Sequence, residues 1–212
     1  MNKTIHTHYD KQLLNDLPIS QFEGRIFVIT TEGEAARAVK YLMSQPILGF
    51  DTETRPSFRH GECHKVALLQ VSTHDTCFLF RLNRMGLPPC IINLLEDQQI
   101  TKVGLSLTDD ITMLRRRHTF KPGSFIEIQN EVTKIGITDM SLQKIYANLF
   151  GLKISKRQQL TNWEADILTD AQKTYAATDA WACIKIYEEI ERLNQTKAYQ
   201  LIQHETDNTE TK

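Results

Sequence analysis

The sequence predicts an α/β domain, a mixed sheet flanked by helices, on three observations. β-branched and apolar runs of strand length lead the chain and then alternate with helical patterns. An early hairpin, Ala67-Leu68-Leu69-Gln70-Val71 joined to Thr76-Cys77-Phe78-Leu79-Phe80 through Ser72-Thr73-His74-Asp75, argues against an all-parallel sheet. Two capping boxes, Thr31 with Glu34 and Thr169 with Gln172, mark helix starts. At 212 residues the chain has the length of one good-sized domain.

The elements follow in order. Residues 1–20 are mostly polar, with Leu13, Leu14 and Leu17 before Pro18, and read as an extension that docks loosely. Residues 21–195 form the domain. Arg25–Thr30 is a strand by its β-branched content. The first capping box opens a helix whose apolar face includes Ala36, Val39 and Leu42. Ile47–Glu53 is the next strand, and Arg55–His64 a polar loop with Pro56 and Gly61. After the hairpin, Pro88-Pro89 starts a short helix through Leu95. Thr101–Leu105 is a strand, followed by a helix from about Thr108 to Arg116 that Thr108 or Asp109 can cap. Phe125–Ile128 is a further strand. A helix from Asp139 or Ser141 carries Leu142, Ile145, Tyr146 and Leu149 and stops at Gly151. A basic stretch, Lys153–Gln159, leads to Trp163, and the second capping box opens a long helix to about Leu193. Residues 196–212 read as a polar tail, disordered from Gln203 onward.

A net charge of −1 supplies no global field to draw the protein onto nucleic acid, so a polyanion must be held locally. Cys63, Cys77, Cys90 and Cys183 contain no CxxC spacing, which argues against zinc and against a disulfide framework and for an intracellular, soluble protein. No apolar run approaches the ~20 residues that span a bilayer, so no membrane is expected.

Three acidic sites carry the chemistry. In Gly49-Phe50-Asp51-Thr52-Glu53-Thr54, residues 51 and 53 lie two apart at a strand end and point to one face. Two anions so placed repel unless a proton or cation lies between them, and oxygen-only donors suit Mg²⁺ or Mn²⁺. In the last helix Tyr175 and Asp179 are four apart, so they share a face, and an Asp in mid-helix has no capping role. The third site is Val103-Gly104-Leu105-Ser106-Leu107-Thr108-Asp109-Asp110, with Asp110 in a first helical turn. Singly, each has a plain structural explanation: a polar loop, a solvated Asp beside a surface Tyr, or a carboxylate complementing a helix dipole.

Together, in this order, they resemble the DEDD superfamily of 3′–5′ exonucleases, in the tyrosine-containing branch that includes ribonuclease D and the Werner-type exonuclease domain. The resemblance runs over roughly residues 25–190 and extends to Ala67–Val71 and Leu160–Thr169. It implies a ribonuclease H-like (DnaQ-like) fold. It also implies metal ligation by Asp51, Glu53, Asp110 and Asp179, with Asp51 bridging two divalent ions, Mg²⁺ or Mn²⁺, and Tyr175 orienting the attacking water. The expected reaction releases nucleoside 5′-monophosphates from the 3′ end of DNA or RNA, single-stranded or 3′-terminal. Many members carry Asn ahead of the second-motif Asp; here Gly104-Leu105-Ser106 stands there, closer to the Werner-type subgroup, and Asp109 is the alternative to Asp110.

Leu105, Leu107, Arg55, His60 and Arg157 are candidate substrate contacts, each with core packing or solvated surface as the plainer role. Arg115-Arg116-Arg117-His118 suits a helix C-terminus as well as a phosphate. Trp163 and Trp181 read as packing residues. Near-neutral charge leaves room for a tethering protein partner. Two rival functions stand beside the nuclease: a catalytically weak nucleic-acid-binding module of the same fold, which should have lost one of the five site residues, and a hydrolase of small nucleotides.

Overall fold

The computed structural model describes residues 2–59, 61 and 63–203. Its centre is a six-stranded mixed sheet. In chain order its strands are β2 (Arg25–Ile29), β3 (Ile47–Glu53), β4 (Leu68–Ser72), β5 (Thr76–Arg81), β6 (Thr101–Gly104) and β7 (Phe125–Glu127). They lie side by side as β2-β5-β4-β3-β6-β7. β4 runs antiparallel to β3 and to β5, and the remaining pairings are parallel. The hairpin therefore places one reversed strand inside an otherwise parallel sheet.

Alternation along β3 divides its side chains between two layers. Leu48 and Phe50 enter the core formed with α1 (Glu32–Leu42), α3 (Pro89–Glu96) and α4 (Leu107–Arg115). Gly49, Asp51 and Glu53 take the other face, beneath the long helix α7 (Asp170–Thr196). Both expected capping boxes are present, at Thr31 with Glu34 and at Thr169 with Gln172. Ser141 caps α6 (Leu142–Phe150), which ends on Gly151 at φ 64°, a conformation that favours glycine.

Besides a 3₁₀ turn at Gln12–Asp16, four short helices and strands were not expected. They are β1 (Lys3–His6), α2 (Leu82–Met85), α5 (Ile128–Thr133) and β8 (Tyr199–Ile202). β1 and β8 pair in parallel, Lys3 opposite Tyr199 through His6 opposite Ile202. The N-terminal segment is thus built in rather than loosely docked: Ile5 is fully buried, and the Asn148 side chain both accepts from His6 N–H and donates to His6 C=O. Part of the expected polar tail is β8, while residues 204–212 lie outside the described residues. No helix among the described residues is long and apolar enough to cross a membrane, and all four cysteines are free thiols.

Gly49 sets how closely α7 approaches the sheet. A Cβ there would stand 1.9 Å from the Ala180 carbonyl oxygen. Gly49→Ala should therefore destabilise the fold by about 1–3 kcal/mol in urea titration. Gly33→Ala, in α1 where an added Cβ would meet only the Arg37 guanidinium at 4.0 Å, should be neutral or stabilising by about 0.5–1 kcal/mol. Equal effects at the two positions would contradict this account of the close approach.

Candidate active site

The centre is assembled from three segments that meet at the C-terminal end of β3. β3 supplies Asp51 and Glu53, α7 supplies Tyr175 and Asp179, and the first turn of α4 supplies Asp110. Carboxylate oxygens of Asp51, Glu53 and Asp179 lie within 4.8 Å of one another. Glu53, Tyr175 and Asp179 are each only 8% exposed, so these are not solvated surface groups. Asp110 stands beside this trio: the Thr52 hydroxyl donates to its Oδ1 at 2.5 Å, while Asp109 is exposed. The structure thus brings Asp110, and not Asp109, to the strand end.

The first turn of α4 is capped differently from the sequence expectation. Neither Thr108 nor Asp109 caps it; the N-cap residue is Ser106, left-handed at φ 62° and making no side-chain cap bond. The Glu127 carboxylate, at the end of β7, accepts from the N–H groups of Ser106 (3.0 Å) and Leu107 (2.7 Å) instead. Pairing of Gly104 with Glu127 in the parallel register brings that carboxylate to the helix start, where an anion is favoured.

Burial and mutual repulsion dominate the electrostatics. Burial, then the charges of Asp110, Glu53 and Asp179, hold Asp51 well above the ordinary carboxylate range. Burial, then Asp179 and Asp110, push Glu53 up to about 9. Asp110 rises to about 7 through burial, opposed by the Thr52 hydrogen bond. Asp179 also rises to about 7 through burial, opposed by a hydrogen bond from the Tyr175 hydroxyl and by the charge of Lys156. Burial, followed by the charge of Asp179, raises the Tyr175 phenol far above its usual value. Such a cluster is not fully ionised at neutral pH on its own. Its donors are all oxygens at ligating separation, the set that hard divalent cations take, so these residues fit divalent metal binding.

Beside the carboxylates opens a cavity of about 290 Å³ whose walls include Leu105, Gln143, Ser155, Lys156 and Gln159. Lys156 and Gln159 come from the basic stretch, which the sequence marked without showing which side chains turn inward. Leu107 lies in the core, unlike Leu105. Arg55 faces Glu164 at 3.4 Å, Arg157 is exposed, and His60 lies outside the described residues. Arg115 and Arg117 donate to the carbonyls of Phe120 (3.1 Å) and Val66 (2.7 Å), which gives both a structural task. Trp163 is fully buried with its ring 6.0 Å from that of Tyr175. Buried Arg81, whose Nη2 donates to the Ala165 carbonyl at 2.5 Å, clamps the far end of the same loop.

A family model for 3′–5′ exonucleases matches residues 26–195. The chain belongs to the 3′–5′ exonuclease family. Members are hydrolases. The mouse bifunctional 3′–5′ exonuclease/ATP-dependent helicase WRN is 32% identical over 199 residues, covering 88% of this chain and 14% of that protein. An Arabidopsis thaliana 3′–5′ exonuclease is 29% identical over 203 residues, 84% of this chain and 67% of that protein. The exonuclease domain of Aedes aegypti Nibbler superposes with a TM-score of 0.75 at 19% identity, covering 86% and 94% of the two chains. Escherichia coli ribonuclease D gives 0.70 at 21% identity, covering 81% and 47%. The fold of this exonuclease-family domain is ribonuclease H-like. The chain spans 14% and 27% of the mouse protein and of a Drosophila melanogaster exonuclease 3′–5′ domain-containing protein.

Two outcomes follow from this geometry. A carboxylate whose folded pKa is raised contributes stability that is present below its unfolded value and lost as pH rises through the folded value. Metal-free protein should therefore lose melting temperature between about pH 4 and pH 9, on the order of 5 °C, and Mg²⁺ or Mn²⁺ should restore it at pH 8. Asp51→Asn should flatten the pH profile and abolish the metal-induced rise; a wild-type profile flat in pH and indifferent to metal would refute the electrostatic picture. Separately, Glu127→Ala should cost about 1–2 kcal/mol in denaturant, as for the loss of a helix cap.

Proposed function

We propose that this domain hydrolyses phosphodiester bonds at nucleic-acid 3′ ends with two divalent cations, Mg²⁺ or Mn²⁺, releasing nucleoside 5′-monophosphates. The observation that carries the reading is the convergence of Asp51, Glu53 and Asp179 within 4.8 Å, roofed by Tyr175, in a chain of the exonuclease family. Asp51, Glu53, Asp110 and Asp179 would hold the cations. When bound, such ions supply Lewis-acid stabilisation of the charge that develops on the attacking and leaving oxygens.

The chain's own groups do the rest. Tyr175 remains a neutral phenol, because burial and the neighbouring carboxylates oppose its ionisation. It donates to Asp179, and its oxygen retains lone pairs that can accept a hydrogen bond from the attacking water and aim it. It is therefore an orienting group rather than a strong base. Lys156, whose charge reaches Asp179, gives the cavity a cation for the phosphate being cleaved. A cavity of about 290 Å³ suits the terminal nucleotide of a strand. A phosphate grip is common to DNA and RNA; a ribonuclease D of Trypanosoma brucei has been solved in complex with RNA. The catalytically weak binding module is not favoured, since every expected site residue is kept.

End-labelled DNA and RNA, single-stranded and recessed, should shorten as a ladder from the 3′ end with Mg²⁺ or Mn²⁺ and stay intact with EDTA. Asp51→Ala should lower the rate by at least about 100-fold. Tyr175→Phe should lower kcat by about 100-fold and leave Mn²⁺ affinity in place. Undiminished metal-dependent cleavage by Asp51→Ala would sink the proposal.

A further inference from the structure

The residue opposite Asp51 in the sheet is Gln70, its partner in the antiparallel register of β3 and β4. Directly opposed residues share a face, with Cβ atoms about 4.5–5.5 Å apart. Gln70 therefore lies under α7, on the floor of the carboxylate centre. It is 0% exposed, yet neither Oε1 nor Nε2 has a hydrogen-bond partner. Both ends of a buried carboxamide left unpaired are a costly arrangement, and such an exception in a folded protein calls for an explanation.

The register fixes the side chains directly beside it. Its same-face neighbours along β4 are Leu68 and Ser72; across the sheet they are Leu79 on β5 and Asp51 on β3. The two leucines offer no polar side-chain atom. The Ser72 hydroxyl already donates to the Thr73 carbonyl at 2.7 Å. The helix overhead carries Ala176 and Ala177, both fully buried. Among these neighbours Asp51 alone has an ionisable side chain.

We propose that Gln70 is a positioning residue for the metal centre, its Nε2–H donating to the Asp51 carboxylate when that carboxylate turns onto divalent cations. The inference rests on the exonuclease reading of the centre. A carboxylate shared with cations keeps lone pairs for a further donor, and such outer partners fix the orientation of the ligand. Glutamine has the length to reach across the strand gap from beneath; asparagine is one methylene short. In this role Gln70 touches neither the substrate nor the reacting atoms and acts only through Asp51.

The test uses the full chain, with Gln70→Met to keep length without a donor and Gln70→Asn to keep the donor without length. Nitrogen-15 NMR of the wild type should show the Gln70 side-chain amide shifting as Mg²⁺ is added. In EDTA, Gln70→Met should melt at or above the wild-type temperature, because two unpaired polar atoms have been removed. Calorimetry should show its Mn²⁺ affinity reduced about tenfold, with Gln70→Asn also weakened, and half-maximal cleavage should need correspondingly more Mg²⁺. A Gln70 amide unmoved by Mg²⁺ in a wild type that binds the ion would overturn the inference alone, even if a variant failed to fold. Wild-type Mn²⁺ affinity in Gln70→Met would do the same. A wild type that binds no Mn²⁺ would instead remove the exonuclease reading, and this one with it.

Discussion

The contact between α7 and β3 at Gly49, where the helix backbone lies against the strand with no room for a methyl group, sets the geometry of everything above it. Two residues further along the strand is Asp51, and four beyond Gly49 is Glu53; Asp179 immediately precedes Ala180, whose carbonyl makes the contact. Each carboxylate is placed by an element packed on both sides, so their separation is fixed by the core rather than by a loop. Interiors at this density do not deform smoothly. A shift of the helix would move Asp179 and Tyr175 together relative to the strand pair.

The same packing creates the electrostatic problem that the site embodies. Four carboxylates held close, two buried and two half-buried, repel one another and are poorly solvated. The fold tolerates this because an apolar cluster packs on each side of the sheet, with Phe50 and Leu48 on one side and Leu79, Ala176 and Ala177 on the other. A destabilised constellation on a well-packed scaffold is the usual condition of a functional centre. The supports reach outward from it. Trp163 backs Tyr175, Gln172 holds Thr161 and the Asn162 carbonyl, and Arg81 holds the loop beyond.

Local rules read most of this from the sequence. Strand alternation put Asp51 and Glu53 on one face, helical spacing put Tyr175 with Asp179, and both capping boxes appear where their side-chain spacing places them. Where the reading fell short, the cause is contact between residues far apart in sequence. Glu127 caps α4 across the β6–β7 pairing, so no spacing rule within 106–110 could find it. Lys156 is one of several cations in a stretch without helical or strand period, and only the fold selects which one faces Asp179. Gln70 looked like one more strand residue until the β3–β4 register set it opposite Asp51. α2 and α5 are too short to show a period, and β1 has no signal apart from its partner.

That partner is β8, the last strand among the described residues. Lys3 meets Tyr199 and His6 meets Ile202, so β1 must wait for the much later β8 before it can pair. Closing so long a loop yields no hydrogen bond until β8 is present, and contacts of this separation slow folding most. The sheet and α7 can assemble earlier from nearer contacts, leaving the burial of Ile5 as a late fastening. During that interval Ile5 and the open strand edge are the surfaces through which a nascent chain would meet its neighbours.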